Sequence, residues 1–210
     1  MRFWTFDAFN GLVIMKLIII ILSVILFSML MIQAYTSKSS NDIEQYRYKV
    51  VQKLDEVEIR AYESAVFSSV KMSKATYEET ASGGFRILAG YIFGGNETGE
   101  KIAMTSPVVM EMGDSMKMSF MVPSDKEVNA LPKPNDPRVY QEKKDSTLMA
   151  AIAFGGWASD EKIQEHIEAL KSTLAKHHIA YEGPFSYLGY NPPYQLVNRR
   201  NEVVVKVIYP

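Results

Sequence analysis

The chain has 210 residues, 47% of them hydrophobic, with no cysteine and a formal net charge of -1. That length suits one domain plus an appendage. The missing cysteines exclude a disulfide framework, a thiolate nucleophile and any Cys-ligated metal, and the balanced charge removes the electrostatic footprint of a nucleic-acid binder.

The apolar residues are unevenly placed, since 25 of the first 34 are apolar. Across residues 11–32 the only charged side chain is Lys16, and no polar face recurs at the helical period. Roughly 20 apolar residues cross a bilayer as a helix, so the segment predicts a span once Lys16 snorkels to the interface. Met15-Lys16 ahead of the apolar run also fits a secretory signal, with Ile32-Gln33-Ala34 as its cleavage site. The run is longer than the usual signal core of about 7–15 residues, which favours an uncleaved membrane anchor over residues 1–34. Both readings export the following domain, as a single-pass membrane protein or, after cleavage, as a secreted or periplasmic one. Arg2 and Lys16 against Asp7 place the N-terminus in the cytoplasm. Residues 35–45 read as a polar, flexible linker and residues 46–210 as the domain. Without its first 34 residues the chain keeps 21 basic and 23 acidic residues, a net charge of -2, so its membrane contact is expected to be the helix alone.

Within the domain, residues 46–54 and 57–72 alternate apolar and polar side chains with many β-branched and aromatic members, which predicts strands. Residues 77–93 predict a helix with Phe85, Leu88, Ala89 and Ile92 inward, weakened by Ser82-Gly83-Gly84 and stopped by Gly94-Gly95-Asn96. Strands follow at 106–112 and 116–122 around the turn residues Gly113, Asp114 and Ser115. A stretch with Pro132, Pro134 and Pro137 crosses to a buried strand at 148–154. The helix at 159–176, capped by Ser159, carries Ile163, Ile167, Leu170 and Leu174 on one face. Strands at 185–190 and 202–209 close the chain. Each half thus runs strand, helix, strand, strand, and two such halves predict an α+β fold in which an antiparallel sheet curves around an apolar interior with two helices against it.

Few residues point to catalysis. His166, His177 and His178 sit on or just after one helix, with His166 turned away from the apolar stripe, and no nucleophile elbow, P-loop or HExxH occurs. The protein is therefore expected not to be an enzyme. Six of the twelve methionines lie between Met104 and Met121. A turn at residues 113–115 pairs Met112 with Met116 and Met110 with Met118, putting four thioethers on one face, as core, as pocket lining or as a copper(I) site. Glu111 and Lys117 then face each other on the other side, as an ion pair or, were that face interior, with Glu111 as a receptor for a cation. Arg199 and Arg200 read as surface charges, as partners of Glu202 or as partners of a ligand carboxylate.

The segments KIAMTSPV at 101–108, SFMVPS at 119–124, LPKPNDPRV at 131–139, YNPPY at 190–194 and RRNEV at 199–203 together resemble the SOUL heme-binding protein family. VEIRAYES at 57–64 and FRILAGYIFGGN at 85–96 resemble its first strand and helix. The resemblance implies a distorted antiparallel β-barrel of two pseudo-symmetric halves, each with a helix, similar to effector-binding domains of multidrug-responsive regulators that take hydrophobic cations. It also implies heme or another tetrapyrrole as ligand, held on an apolar surface beside the first helix of the domain without an obligatory axial ligand. Aligned on Gly94-Gly95-Asn96, the family's contact positions fall near Arg86, Gly90 and Tyr91, which places the expected site at Arg86, Ala89, Tyr91 and Phe93. There Tyr91 and Phe93 would stack on the ring and Arg86 would meet a propionate. The alternatives are a receptor for hydrophobic cations and an envelope protein without ligand.

Overall fold

A computed structural model of the chain describes residues 4–41, 43–73 and 76–208, with residues 4–12 and 34–41 described by backbone alone. Arg2, Asp42 and Tyr209, on which expectations above depend, lie outside the described residues. Helix α1 spans Trp4–Asn41, and its side chains from Val13 to Ile32 are exposed all round. Ser23 and Ser28 donate their hydroxyls to Ile19 O and Val24 O, so the two serines of that run are satisfied within the helix. The helix continues through most of the expected linker, because no proline or glycine between Tyr35 and Asn41 stops it.

Nine strands follow: β1 (Tyr48–Leu54), β2 (Val57–Tyr62), β3 (Ala65–Lys71), β4 (Val108–Glu111), β5 (Lys117–Met121), β6 (Val139–Lys144), β7 (Thr147–Gly155), β8 (Ala180–Gly189) and β9 (Arg200–Ile208). They form one antiparallel sheet in the order β1-β2-β7-β9-β8-β4-β5-β3-β6. The expected barrel does not close, since β1 and β6 end the sheet on opposite sides and do not pair. Strand β6 lies within what read as a crossing segment; its run YQEKK shows too little apolar alternation to announce it. In each helix-bearing unit the strand before the helix and the two after it take the same places, β3-β5-β4 and β7-β9-β8.

Two-residue periodicity sorts every strand into two faces. Val57, Ile59, Val70, Met110, Met118, Phe120, Ile152, Val203 and Val205 point toward helices α2 (Tyr77–Ile92) and α3 (Asp160–Lys176) and build the main core with them. In α3 the four expected residues Ile163, Ile167, Leu170 and Leu174 are buried, each stabilising by about 1.5–3 kcal/mol relative to exposure. Ser159 caps that helix by accepting from Lys162 N at 3.3 Å. Helix α2 buries Gly84, Leu88, Tyr91 and Ile92, whereas Phe85, expected inward, lies at the margin, edge-on to Phe120 with ring centroids 5.2 Å apart. A Cβ on Gly84 would stand 3.1 Å from the Met118 sulfur, so the glycines that weaken the helix by propensity let it approach the sheet. Its first turn is held from afar, where Tyr77 N and Glu78 N donate to the Asp160 carboxylate at 2.7 and 3.1 Å.

Candidate ligand-binding site

The end of α2 is built by its glycines and one asparagine. Gly94 has φ +108°, and a Cβ on Gly95 would stand 2.6 Å from Gly90 O, closer than any side chain permits. Asn96, buried behind them, donates to Tyr91 O and Glu100 O and accepts from Thr98 Oγ1 and Glu100 N. The turn presents the outer face of α2 as a shallow platform: Arg86 and Gly90 are exposed, Ala89 is half-buried, and Phe93 is 63% exposed beside the exposed Lys101, its partner in an isolated bridge. A Cβ at Gly90 would meet nothing within 4 Å, so the middle of the platform is open. Three of the four expected site residues, Arg86, Ala89 and Phe93, share this face. Tyr91 does not. Its ring belongs to the core and its hydroxyl donates to Pro132 O at 2.9 Å, because a helix turns position 91 away from 86, 89, 90 and 93. Burial raises the Tyr91 phenol above its ordinary pKa.

The sheet face away from α2 and α3 holds a cleft of about 600 Å³, within the range of small-molecule sites. Its floor is aromatic: the Tyr46 and Tyr62 rings lie 4.8 Å apart, with Phe67 5.3 Å from Tyr46. Burial pushes the Tyr46 phenol up to about 12, and its hydroxyl is buried with no hydrogen-bond partner among the described residues. Beside this floor, Glu202 is fully buried and accepts from Arg60 Nη1 at 2.8 Å, Tyr190 OH at 2.8 Å and Arg200 Nη2 at 2.6 Å. Burial by itself would depress the Arg60 guanidinium, but the hydrogen bond and charge of Glu202 hold it above its ordinary value. Of this floor the sequence shows only Tyr62, as a period-2 partner of the β2 core residues, and the aromatic cluster joins it to Phe67 of β3 and to Tyr46 ahead of β1.

The hairpin candidates fall as the register predicts. Met110 pairs with Met118 and Glu111 with Lys117. Met110, Met116 and Met118 are buried among α2 and the sheet, and Met112 packs partly against them, so these thioethers are core. On the opposite face the Glu111 carboxylate lies 3.3 Å from Lys117 Nζ and 3.8 Å from Lys144 Nζ, at the wall of the cleft. That carboxylate is compensated by two lysines. His166 stacks on Phe154 with ring centroids 4.2 Å apart, and its Nδ1 lies 2.7 Å from Lys162 O. His177 Nε2 lies 3.5 Å from Asp55. Arg200 is the partner of Glu202, while Arg199 donates to Pro192 O, Gln195 O and Asn191 O.

The family model described as SOUL heme-binding protein matches residues 43–206. The chain belongs to that family. Among curated relatives, heme-binding protein 2 of Mus musculus is 32% identical to this SOUL protein over 155 residues, covering 70% of this chain and 75% of the relative. Heme-binding protein 1 of Xenopus laevis is 28% identical over 154 residues, covering 70% and 80%. Among solved structures, the C-terminal domain of EcmrR aligns with a TM-score of 0.59 at 6% identity, over 78% of this chain and 99% of that one. A hydrolase from Listeria innocua aligns at 0.52 and 7%, over 75% and 94%. At such identities the SOUL chain shares with both a fold. Its motif residues do structural work in the SOUL domain: Asn96 braces the α2 turn, Asn191 Oδ1 accepts from Arg200 N, and Glu202 anchors two arginines and Tyr190.

Proposed function

We propose that this protein is a membrane-tethered, non-enzymatic binder of heme or another tetrapyrrole, with its domain on the extracytoplasmic side. Family membership over residues 43–206 is the observation that carries the ligand class, and the curated relatives are named as heme-binding proteins. The tether rests on α1, whose stretch Val13–Gln33 is long and apolar enough to span a bilayer and whose side chains up to Ile32 have no protein cover.

The outer face of α2 suits a planar ring with carboxylates. Ala89 and Gly90 leave a low surface, Phe93 offers an exposed ring for stacking, and Arg86 and Lys101 offer cations for propionates, with Tyr91 supporting the helix from beneath. No histidine, methionine or cysteine stands at positions 86, 89, 90 or 93. The residues therefore fit a tetrapyrrole held by ring burial and carboxylate contact, and bound heme would bring its own iron chemistry. Hemin and protoporphyrin IX titrated against the full-length protein in detergent are both expected to shift their Soret bands. The pair Phe93→Ala and Arg86→Ala is expected to weaken binding about tenfold, a loss of about 1.4 kcal/mol. Absence of a shift with either porphyrin overturns the reading.

The volume and aromatic floor of the cleft favour a second reading, in which a hydrophobic small molecule lies over Tyr46, Tyr62 and Phe67. Thr147→Trp, which fills the cleft, distinguishes the two: it leaves porphyrin binding unchanged if the α2 face is the site and abolishes it if the cleft is. For a cationic ligand beside Glu111, Glu111→Gln removes the response in a screen of cationic dyes.

A further inference from the structure

We propose that the loop at residues 191–199 is a membrane wedge that inserts Tyr194, Leu196 and Val197, flanked by Trp157, into the headgroup region of the bilayer that α1 crosses. The wedge rests on reading α1 as a membrane span. Tyr194 is 65% exposed, Leu196 55%, Val197 50% and Trp157 54%. Three large apolar side chains exposed within four residues of one loop, with Trp157 joined to that loop through Arg199, need a cause.

Many of the loop's polar groups bond within the loop. Arg199 donates to Pro192 O at 2.9 Å, Gln195 O at 2.7 Å and Asn191 O at 3.4 Å, and the buried Gln195 donates to Val197 O at 3.0 Å and Asn198 O at 3.4 Å. Asn191 Oδ1 takes the N–H of Arg200 at 2.6 Å, and Gln195 N donates to Pro192 O. Carbonyls that would resist leaving water are thereby satisfied, while the apolar side chains are turned outward. The Arg199 guanidinium lies 4.2 Å from the Trp157 ring centroid and joins that indole to the loop.

Position identifies lipid as the occupant. Gln33 ends the apolar stretch of α1, and its side chain meets this loop: Leu196 N donates to Gln33 Oε1 at 2.9 Å, and Gln33 Nε2 donates to Tyr194 O at 3.4 Å. The loop therefore stands at the level where the span leaves the bilayer, the depth that tyrosine and tryptophan favour. The domain is then fixed against the membrane by two elements far apart in sequence.

Because the chain has no cysteine, single cysteines report without background. The full-length protein is reconstituted in phosphatidylcholine vesicles carrying nitroxide lipids, with an environment-sensitive fluorophore at Leu196→Cys, Trp157→Cys, Leu22→Cys within the span, or Ser172→Cys on the exposed side of α3. The wedge predicts blue-shifted emission and quenching at positions 196 and 157, stronger with nitroxides near the headgroups than with deep ones. It predicts deep quenching at 22 and none at 172. Quenching at 22 with positions 196 and 157 as aqueous as 172 overturns the wedge and leaves the span standing. No quenching at 22 overturns the span, and the wedge with it.

Discussion

Glu202 has no exposure to water, yet its two oxygens take hydrogen bonds from Arg60, Arg200 and Tyr190. A carboxylate so placed is tolerated only because its partners are fixed, and removing one leaves charge without compensation. Arg60→Met is therefore expected to lower stability by about 3–5 kcal/mol in urea unfolding, more than a surface arginine would. The double variant Arg60→Met with Glu202→Met is expected to cost less than the sum of the two single changes. Tyr190 in the same network has its phenol raised well above the ordinary value, first by burial and then by the Glu202 charge. Of these partners only Arg200 was legible in the sequence, two residues from Glu202 in a strand and so on the same face.

At the scale of elements, the β4–β5 hairpin is where local pattern and tertiary packing agree most closely. Alternation puts Met110 opposite Met118 and Glu111 opposite Lys117, and packing of α2 decides that the thioether side is interior. Replacing Met110, Met112, Met116 and Met118 by leucine is expected to cost less than about 1.5 kcal/mol at each position, since leucine keeps the volume. Met118→Ala, beneath Gly84, is expected to cost about 2–5 kcal/mol in the same denaturation experiment. Helix α2 is the contrasting case. Propensity counts Gly83 and Gly84 against it, and what secures its start is Asp160, at the head of α3, accepting from the N–H groups of Tyr77 and Glu78.

Over the whole molecule, several carboxylates are held below their ordinary range, which makes acid the sensitive direction. Burial would raise Glu142, but the Ser69 hydroxyl and Lys117 bring it below its usual value; burial opposes Glu58 likewise, and Lys53 and Arg60 lower it. Asp136 is lowered to about 2, first by the side-chain hydrogen bond from Arg138. A carboxylate lowered on folding contributes stability that is fully present above its unfolded pKa of about 4 and is lost as the pH falls through the folded value. Thermal unfolding is therefore expected to show the melting temperature falling from about pH 5 toward pH 2, with a shallower slope in Glu142→Gln. An unchanged slope in that variant would mean that the Ser69, Lys117 and Glu142 group has no part in acid unfolding.

Segments with a local pattern are legible along the chain alone: an apolar run without a polar face at residues 11–32, the four-residue stripe of α3, the hairpin register at Glu111 and Lys117, and the motifs that mark the family. These depend on spacing along one element, and spacing is written in the chain. Packing in three dimensions sets the rest: the sheet stays open between β1 and β6, β6 joins it, and Tyr91 turns into the core while Arg86, Ala89 and Phe93 share the outer face of α2. Packing likewise brings Tyr46, Tyr62 and Phe67 into one aromatic floor and sets Gln33 against a loop more than 160 residues away. Those features are contacts between distant segments, selected by which faces must leave water together.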